Sequence, residues 1–346
     1  MIDQDINQSH TIKNTCLNFR IITYDMEKSN FNLLEKLDCQ QGAVRAIRFN
    51  ADGDYVITCG SNKSIKLWTS AYSKDLGSKK QPKLLTSYAG HGNEVLDARA
   101  SCDNGQIVSC GLDKAVLLWD VGSGKILRNY RGSHAGAVNC IRFNEDSSVA
   151  ISGSLDATVK CWDLRSKRLE PIQTLTECKD SITSIDVSDH EILVGSADGK
   201  IRRYDLRNGS LITDVVGREP ITSLSFTKDG QCVLVNSSGN STIKLFDKAN
   251  GELLQEYQGH SHQGDFRIEV VLDNTDQKVL AGSEDGKVYI WSLVEGDLIT
   301  QLDHNTENST NKNLVISSLS FHPSSPYLCT TAKGLAYFWG SNDNTA

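Results

Sequence analysis

Serine, histidine and aspartate recur together in this chain, and in hydrolases those side chains supply the nucleophile, its base and the group that orients the base. His91, Ser109 and Asp113 form one set, and His134, Ser152 and Asp156 repeat it 43 residues later. Each set is followed by a tryptophan ten residues after the serine, Trp119 and Trp162. A triad that recurs with an indole beside it suits a different task from catalysis. An indole N–H donating to Ser, Ser to His and His to Asp makes a hydrogen-bonded chain that can pin neighbouring strands. These eight residues are therefore read as structural polar sets, and no catalytic residue is assigned.

Other reactive patterns are weaker. Val121-Gly-Ser-Gly-Lys125 resembles the end of a phosphate-binding loop, but the motif's first glycine is missing and no helix follows. It is read as a hairpin turn. His260-Ser-His262 has no acidic or Cys partner at metal-ligand spacing, so no metal and no cofactor are expected. Arg202-Arg203 and Arg165-Ser-Lys-Arg168 are basic clusters in an acidic chain and read as solvated strand edges. Trp162-Asp-Leu-Arg165 and Tyr204-Asp-Leu-Arg207 place an Asp-x-Arg box, Asp163/Arg165 and Asp205/Arg207, at equivalent points 42 residues apart.

The elements that position these residues follow from the aromatics. The five tryptophans are at 68, 119, 162, 291 and 339, and the long gap holds Tyr204 and Phe246 at the missing positions. Asp or Asn stands six residues before the aromatic in six of the seven copies, as in Asp113-Lys-Ala-Val-Leu-Leu-Trp119 and Asp285-Gly-Lys-Val-Tyr-Ile-Trp291. Such a residue suits a tight turn between strands. Upstream, Val44-Arg-Ala-Ile-Arg-Phe49, Val138-Asn-Cys-Ile-Arg-Phe143, Ile221-Thr-Ser-Leu-Ser-Phe226 and Ile316-Ser-Ser-Leu-Ser-Phe321 repeat a strand-like run.

A period near 42 residues with Gly-His and Trp-Asp signatures, such as Gly90-His91 and Trp119-Asp120, describes a WD-repeat blade of four strands. The expected fold is all-β: a single seven-bladed WD-repeat β-propeller over residues 31–340. Polar tails are expected at 1–30 and 341–346. The chain stops seven residues after Trp339, which leaves the last blade without a fourth strand of its own. Leu33-Leu-Glu-Lys-Leu-Asp38 matches the fourth-strand pattern of Leu253-Leu-Gln-Glu-Tyr-Gln258, so the N-terminal segment is expected to close the ring. The polar stretches 69–83 and 305–313 read as surface insertions.

Composition narrows the function. With 43 acidic and 36 basic residues the chain carries a net charge of −7, a poor match to nucleic acid or anionic membranes. No run of about 18 apolar residues is present, which leaves no membrane-spanning helix. Ten cysteines never form a Cys-x-x-Cys pair, and the acidic N-terminus lacks a secretory pattern. Reduced thiols in the cytosol or nucleus are the expectation.

Longer strings carry a resemblance. Leu37-Asp-Cys-Gln-Gln-Gly-Ala-Val-Arg-Ala-Ile-Arg-Phe-Asn50, Gly90-His-Gly-Asn-Glu-Val-Leu-Asp-Ala98, Val187-Ser-Asp-His-Glu-Ile-Leu-Val-Gly-Ser-Ala-Asp-Gly199 and Arg202-Arg-Tyr-Asp-Leu-Arg207 resemble the mitogen-activated protein kinase organizer family of WD-repeat proteins. The match runs in register over about residues 33–340, and residues 1–30 and the 69–83 stretch depart from it. The resemblance implies a non-enzymatic scaffold that assembles kinase-cascade (MAPK/ERK) components in the cytoplasm and joins the spliceosome in the nucleus. It implies several protein partners, RNA contacted at most indirectly, no membrane and a monomeric ring. In WD propellers the face carrying the loop into each first strand is the usual contact surface. Carried onto this chain, that face comprises Arg45, Glu94, Leu96, Leu112, Asn139, Leu155, Thr183, Thr222 and Phe266. An alternative reading makes the two Asp-x-Arg boxes the adaptor contact of a cullin-RING ubiquitin ligase substrate receptor.

Overall fold

The computed structural model describes residues 31–72, 81–132, 134–264, 266–305 and 314–341. Among them, twenty-eight strands form seven four-stranded antiparallel sheets and no helix. The first strands are Val44–Phe49, Val95–Ala100, Val138–Phe143, Ile182–Ser188, Ile221–Phe226, Val270–Leu272 and Ile316–Phe321. Each lies against the first strand of the next blade, and that of blade 7 lies against that of blade 1, so the ring closes around an axis. The seven-bladed propeller expected from the repeat is the observed fold.

The core lies between blades. Ile57, Ile65 and Tyr88 of blade 1 pack with Val95, Ile107 and Trp119 of blade 2. Sheets sandwiched this way are apolar on both faces, and the second strands read as continuous buried runs, as in Cys232–Ser237. The fourth strands face solvent, to the extreme of Ser210–Val215, where every residue is exposed.

Closure is by the strand Phe31–Asp38, which pairs antiparallel with Leu335–Ser341. Leu33 stands opposite Trp339 and Leu37 opposite Ala336. Leu34 and Leu37 pack against Trp68 and Phe338, and Phe31 and Leu33 against Trp339. The first and last strands of the chain thus share one sheet, with the pairing starting two residues earlier than the leucine pattern suggested. The expected tail over 1–30, the segment 342–346 and most of both polar insertions (73–80 and 306–313) lie outside the described residues.

Two local devices place side chains. In the second-to-third-strand turns, Asp113, Asp156, Asp198 and Asp285 accept the amide two residues on, at 3.0–3.2 Å. The intervening residue is left-handed, whether glycine (Gly199, Gly286) or not (Lys114, Ala157). In blades 1 to 5 and 7 the first strand is bulged at its second residue. A bulge re-aims the side chain it carries, and here the bulged residues include Arg45, Leu96, Asn139, Thr183 and Thr222.

Candidate interaction face

Because the strands of a blade alternate in direction, the second-to-third turns and the blade-to-blade connections share one face of the disc. On that upper face, Arg45, Leu96, Asn139, Thr183, Thr222 and Phe266 all line one cavity of about 640 Å³ at the channel mouth. Glu94 stands beside it, with its Oε2 2.8 Å from Arg45 Nη2. Leu112, Leu155 and Phe266 are 40%, 59% and 47% exposed. Three polar positions have other work. Asn139 Nδ2 donates to the Ile182 carbonyl at 2.7 Å and Thr183 Oγ1 to that of Gly195 at 3.1 Å. Thr222 is buried and donates to the Asn236 carbonyl at 3.3 Å. The side chains free to meet a partner are thus Arg45, Glu94, Leu112, Leu155 and Phe266, with Leu96 half-buried between them.

The Ser-His-Asp sets lie inside the blades. Trp119 Nε1 donates to Ser109 Oγ at 2.8 Å, His91 Nε2 is 2.7 Å from the same oxygen, and His91 Nδ1 is 3.0 Å from Asp113. Blade 3 repeats this through Trp162, Ser152, His134 and Asp156 at 2.8, 2.9 and 3.0 Å. An indole N–H only donates, so the serine oxygen accepts it and directs its own proton to the imidazole. Ser109 and Ser152 have no exposed surface, which leaves neither able to reach a substrate. Burial depresses the proton affinity of His134 despite the Asp156 partner. Burial also opposes ionisation of Asp156, but the Thr158 hydroxyl, His134 and the Ala135 amide together hold its carboxyl well below the usual range.

Related chains occur where the sequence reading saw only fragments. In blade 1 Trp68 Nε1 donates to Thr58, whose hydroxyl meets Gln41. In blade 7 Trp339 Nε1 donates to Thr330 at 3.0 Å, with His304 Nε2 2.7 Å from that hydroxyl. A threonine nine or ten residues before the tryptophan was the available signal. Blade 6 breaks the pattern. Ala281 removes the hydroxyl, Asp285 accepts from Tyr289, and neither ring nitrogen of His260 has a partner among the described residues.

The channel interior holds charges that the sequence reading passed over. Arg48, 2% exposed, makes a two-pronged pair with Glu269 at 2.5 and 2.7 Å and approaches Asp97 at 3.0 Å. Arg142 Nη1 meets the other oxygen of Asp97 at 3.1 Å. Burial opposes the charge on Asp97, yet Arg48, Arg99, Arg142 and Arg267 hold its carboxyl well below the normal range. The signal was an arginine at the fifth position of three successive first strands, Arg48, Arg99 and Arg142.

The Asp-x-Arg boxes lie on the opposite, lower face, after the third strands. Asp163 and Asp205 each accept the amide of the arginine two residues on, at 2.9 Å. Arg165 and Arg207 project outward, 72% and 67% exposed, toward Asp146 at 2.7 Å and His190 at 2.6 Å. His190, Glu191 and Asp205 bring ligand-type atoms within 4.8 Å of one another. Glu191 is already paired with Lys248 at 2.7 Å and Arg203 at 3.4 Å, so the donor set is an ion-pair cluster rather than a built metal site. In the 121–125 turn, Ser123 N donates to Asp120, as a hairpin requires.

Sheets repeated around an axis, pinned by indole-to-carboxylate chains, define a WD-repeat β-propeller. The WD domain, G-beta repeat family matches residues 31–69 and 251–292, and the Nucleolar protein 10-like N-terminal domain matches 97–271. WD repeat domain-containing protein 83 of Homo sapiens is 50% identical over 306 residues, 88% of this chain and 91% of that protein. Its Danio rerio counterpart is 51% identical over 315 residues, 91% and 94% of the two chains. The Dictyostelium discoideum homolog is 32% identical over 326 residues, 86% and 94% of the two chains. The chain belongs to the WD repeat domain-containing protein 83 family.

Proposed function

We propose that this protein is a non-catalytic scaffold that gathers several proteins on the upper face of its ring. Its partners are kinase-cascade components of the MAPK/ERK type in the cytoplasm and pre-mRNA splicing proteins in the nucleus. The observation that carries the scaffold reading is the channel mouth. Leu112, Leu155 and Phe266 are exposed on the same face as a cavity of about 640 Å³, beside the Arg45–Glu94 pair. A monomer gains nothing from displaying those apolar side chains, and a partner that covers them removes their surface from water. The choice of partners is supported by the family resemblance of the repeat strings.

Aromatic and arginine anchors dominate interface energies, so Arg45 and Phe266 are each expected to contribute about 2 kcal/mol or more. Replacing Arg45, Leu112 and Phe266 together by Ala should leave the melting curve nearly unchanged. In pull-downs from separate nuclear and cytoplasmic extracts, probed for splicing proteins and cascade kinases, the variant should lose at least one of the two sets. Retention of both by the folded variant overturns the assignment of this face.

The outward projection of Arg165 and Arg207 favours a second reading, a cullin-RING substrate receptor that docks its adaptor on the lower face. Co-purification of the adaptor, abolished by Arg165→Ala with Arg207→Ala, tests it. No adaptor in the parent pull-down removes it.

A further inference from the structure

Below the Arg48–Asp97–Glu269 layer the channel opens into a second cavity of about 280 Å³ toward the lower face. Arg48, Arg99, Arg142 and Arg267 all line it. Their inward-facing carboxylates are Asp97, Asp186 and Glu269, so four guanidinium groups meet three acids. The distribution is uneven. Arg48 is fully engaged, and Arg142 reaches Asp97 at 3.1 Å and Asp186 at 3.7 Å. Arg267 donates through Nη1 to the Asn139 carbonyl at 2.7 Å and approaches Glu269 at 3.7 Å.

Arg99 is the group left over. Its nearest acid is Asp97, already shared by two other arginines, at 3.8 Å. Its Nε is buried without an acceptor among the described residues, as is the Nε of Arg267. The Arg99 side chain lies deep in the ring yet remains 27% accessible, and the cavity it lines is where that surface faces. Burial and repulsion from Arg142 and Arg48 push its proton affinity well below the ordinary value. A guanidinium does not deprotonate in proteins, so what this position lacks is an anion. Lys228, Asp273 and Asp276 also line the cavity, but they are tied into the turns at its rim. Lys228 Nζ donates to the Asn274 carbonyl, Asp273 accepts the Gln277 and Lys278 amides, and Asp276 accepts the Lys228 amide on Oδ2. The Asp276 Oδ1 is buried without a partner among the described residues, and burial raises the proton affinity of that carboxyl, which works against a negative charge there.

We propose that the lower channel is a binding site for a free phosphate-class oxyanion, held by Arg99 together with Arg142 and Arg267. Guanidinium forks match a tetrahedral oxyanion bidentately, and their charge-assisted bonds are roughly twice as strong as neutral ones. At about 30 Å³ per water, the lumen has room for such an ion with part of its hydration shell. Arg267 and Glu269 line the upper cavity as well, whereas Arg99 and Arg142 line only the lower one, and the proposal does not rest on which proteins dock on the upper face.

The test is titration of the purified full chain with inorganic phosphate, the ionic strength held constant with chloride, read by calorimetry and by thermal melting. Saturable heat and a saturable rise in Tm, absent with chloride alone, are expected. Arg99→Gln should weaken phosphate binding at least tenfold. It should also be at least as stable as the parent in phosphate-free buffer, because it removes an uncompensated charge. Arg99→Lys keeps the charge without the fork and should bind several-fold more weakly than the parent, which keeps the idea testable should Arg99→Gln not fold. Arg168→Gln on the outer surface should bind normally. Phosphate that acts no differently from chloride, or binding unchanged in both Arg99 variants, overturns the proposal.

Discussion

At Asp113 and Asp156 a single carboxylate satisfies both an imidazole Nδ1 and the amide of the residue after the histidine. It also accepts the turn amide two residues on, so removing it leaves three donors stranded, one of them in the blade interior. Asp113→Ala or Asp156→Ala should each cost about 1–3 kcal/mol in denaturant unfolding. Unchanged stability with loss of a partner would show that the set serves binding instead. The turn one residue on carries a second prediction. Ala157 sits at φ 62°, where Gly199 and Gly286 stand in blades 4 and 6. An L-residue there is strained by about 1–2 kcal/mol, whereas glycine adds about 0.4–1 kcal/mol of unfolded-chain entropy. The strain term is the larger, so Ala157→Gly should stabilise the protein by roughly 0.5 kcal/mol, seen as a higher denaturation midpoint with an unchanged slope. A lower midpoint would mean that the Ala157 methyl makes packing contacts that outweigh its strain.

Among the strands, legibility followed the repeat. The third strand and the turn before it were readable in nearly every blade because aromatic, turn acid and β-branched run recur at fixed offsets. Blade 6 was hardest. Its first strand shrinks to Val270–Leu272 and its hydroxyl position is Ala281, so the local pattern is diluted. The channel charges escaped because their partners are far apart in sequence. Arg48 and Glu269 are 221 residues apart, and only ring closure brings them to 2.5 Å. Closure itself was legible through the leucine pattern of the first strand, and it yields a sharp expectation. Deleting residues 1–30 should leave Tm nearly unchanged. Deleting 1–38 strips Phe31, Leu33, Leu34 and Leu37 from two inter-blade cores and frees the edge of Leu335–Ser341. Each buried aliphatic chain is worth about 1.5–3 kcal/mol when fully covered, so even partial burial makes the longer deletion strongly destabilising. Equal melting of the two truncations would refute that pairing.

Over the whole ring, buried histidines couple stability to pH. Burial, with repulsion from His262, lowers His260 from 6.5 to about 4, and burial lowers His304 to about 4 as well. His134 and His262 move in the same direction for the same reason. When unfolded, each group takes up its proton near pH 6.5, and when folded only near pH 4 for the first two. The unfolded state therefore binds more protons across that interval. The contribution is fully present above pH 6.5 and is lost as pH falls toward 4. At about 1.4 kcal/mol per unit, His260 and His304 can each remove up to about 3 kcal/mol. Depressed carboxylates such as Asp156 extend the loss to lower pH, since their stabilisation disappears only as they protonate. His260 isolates the effect, because neither nitrogen has a partner to lose among the described residues and the ring packs against Trp291 at 5.7 Å. His260→Leu should leave stability at pH 7 equal or slightly higher, since an apolar group replaces two unsatisfied polar atoms. The same substitution should make the fall in unfolding free energy between pH 7 and pH 4.5 smaller by about 2 kcal/mol. Denaturant melts of parent and variant at those two pH values decide it. A variant that loses as much stability as the parent would place the acid sensitivity outside His260, in the other buried histidines and the carboxylates.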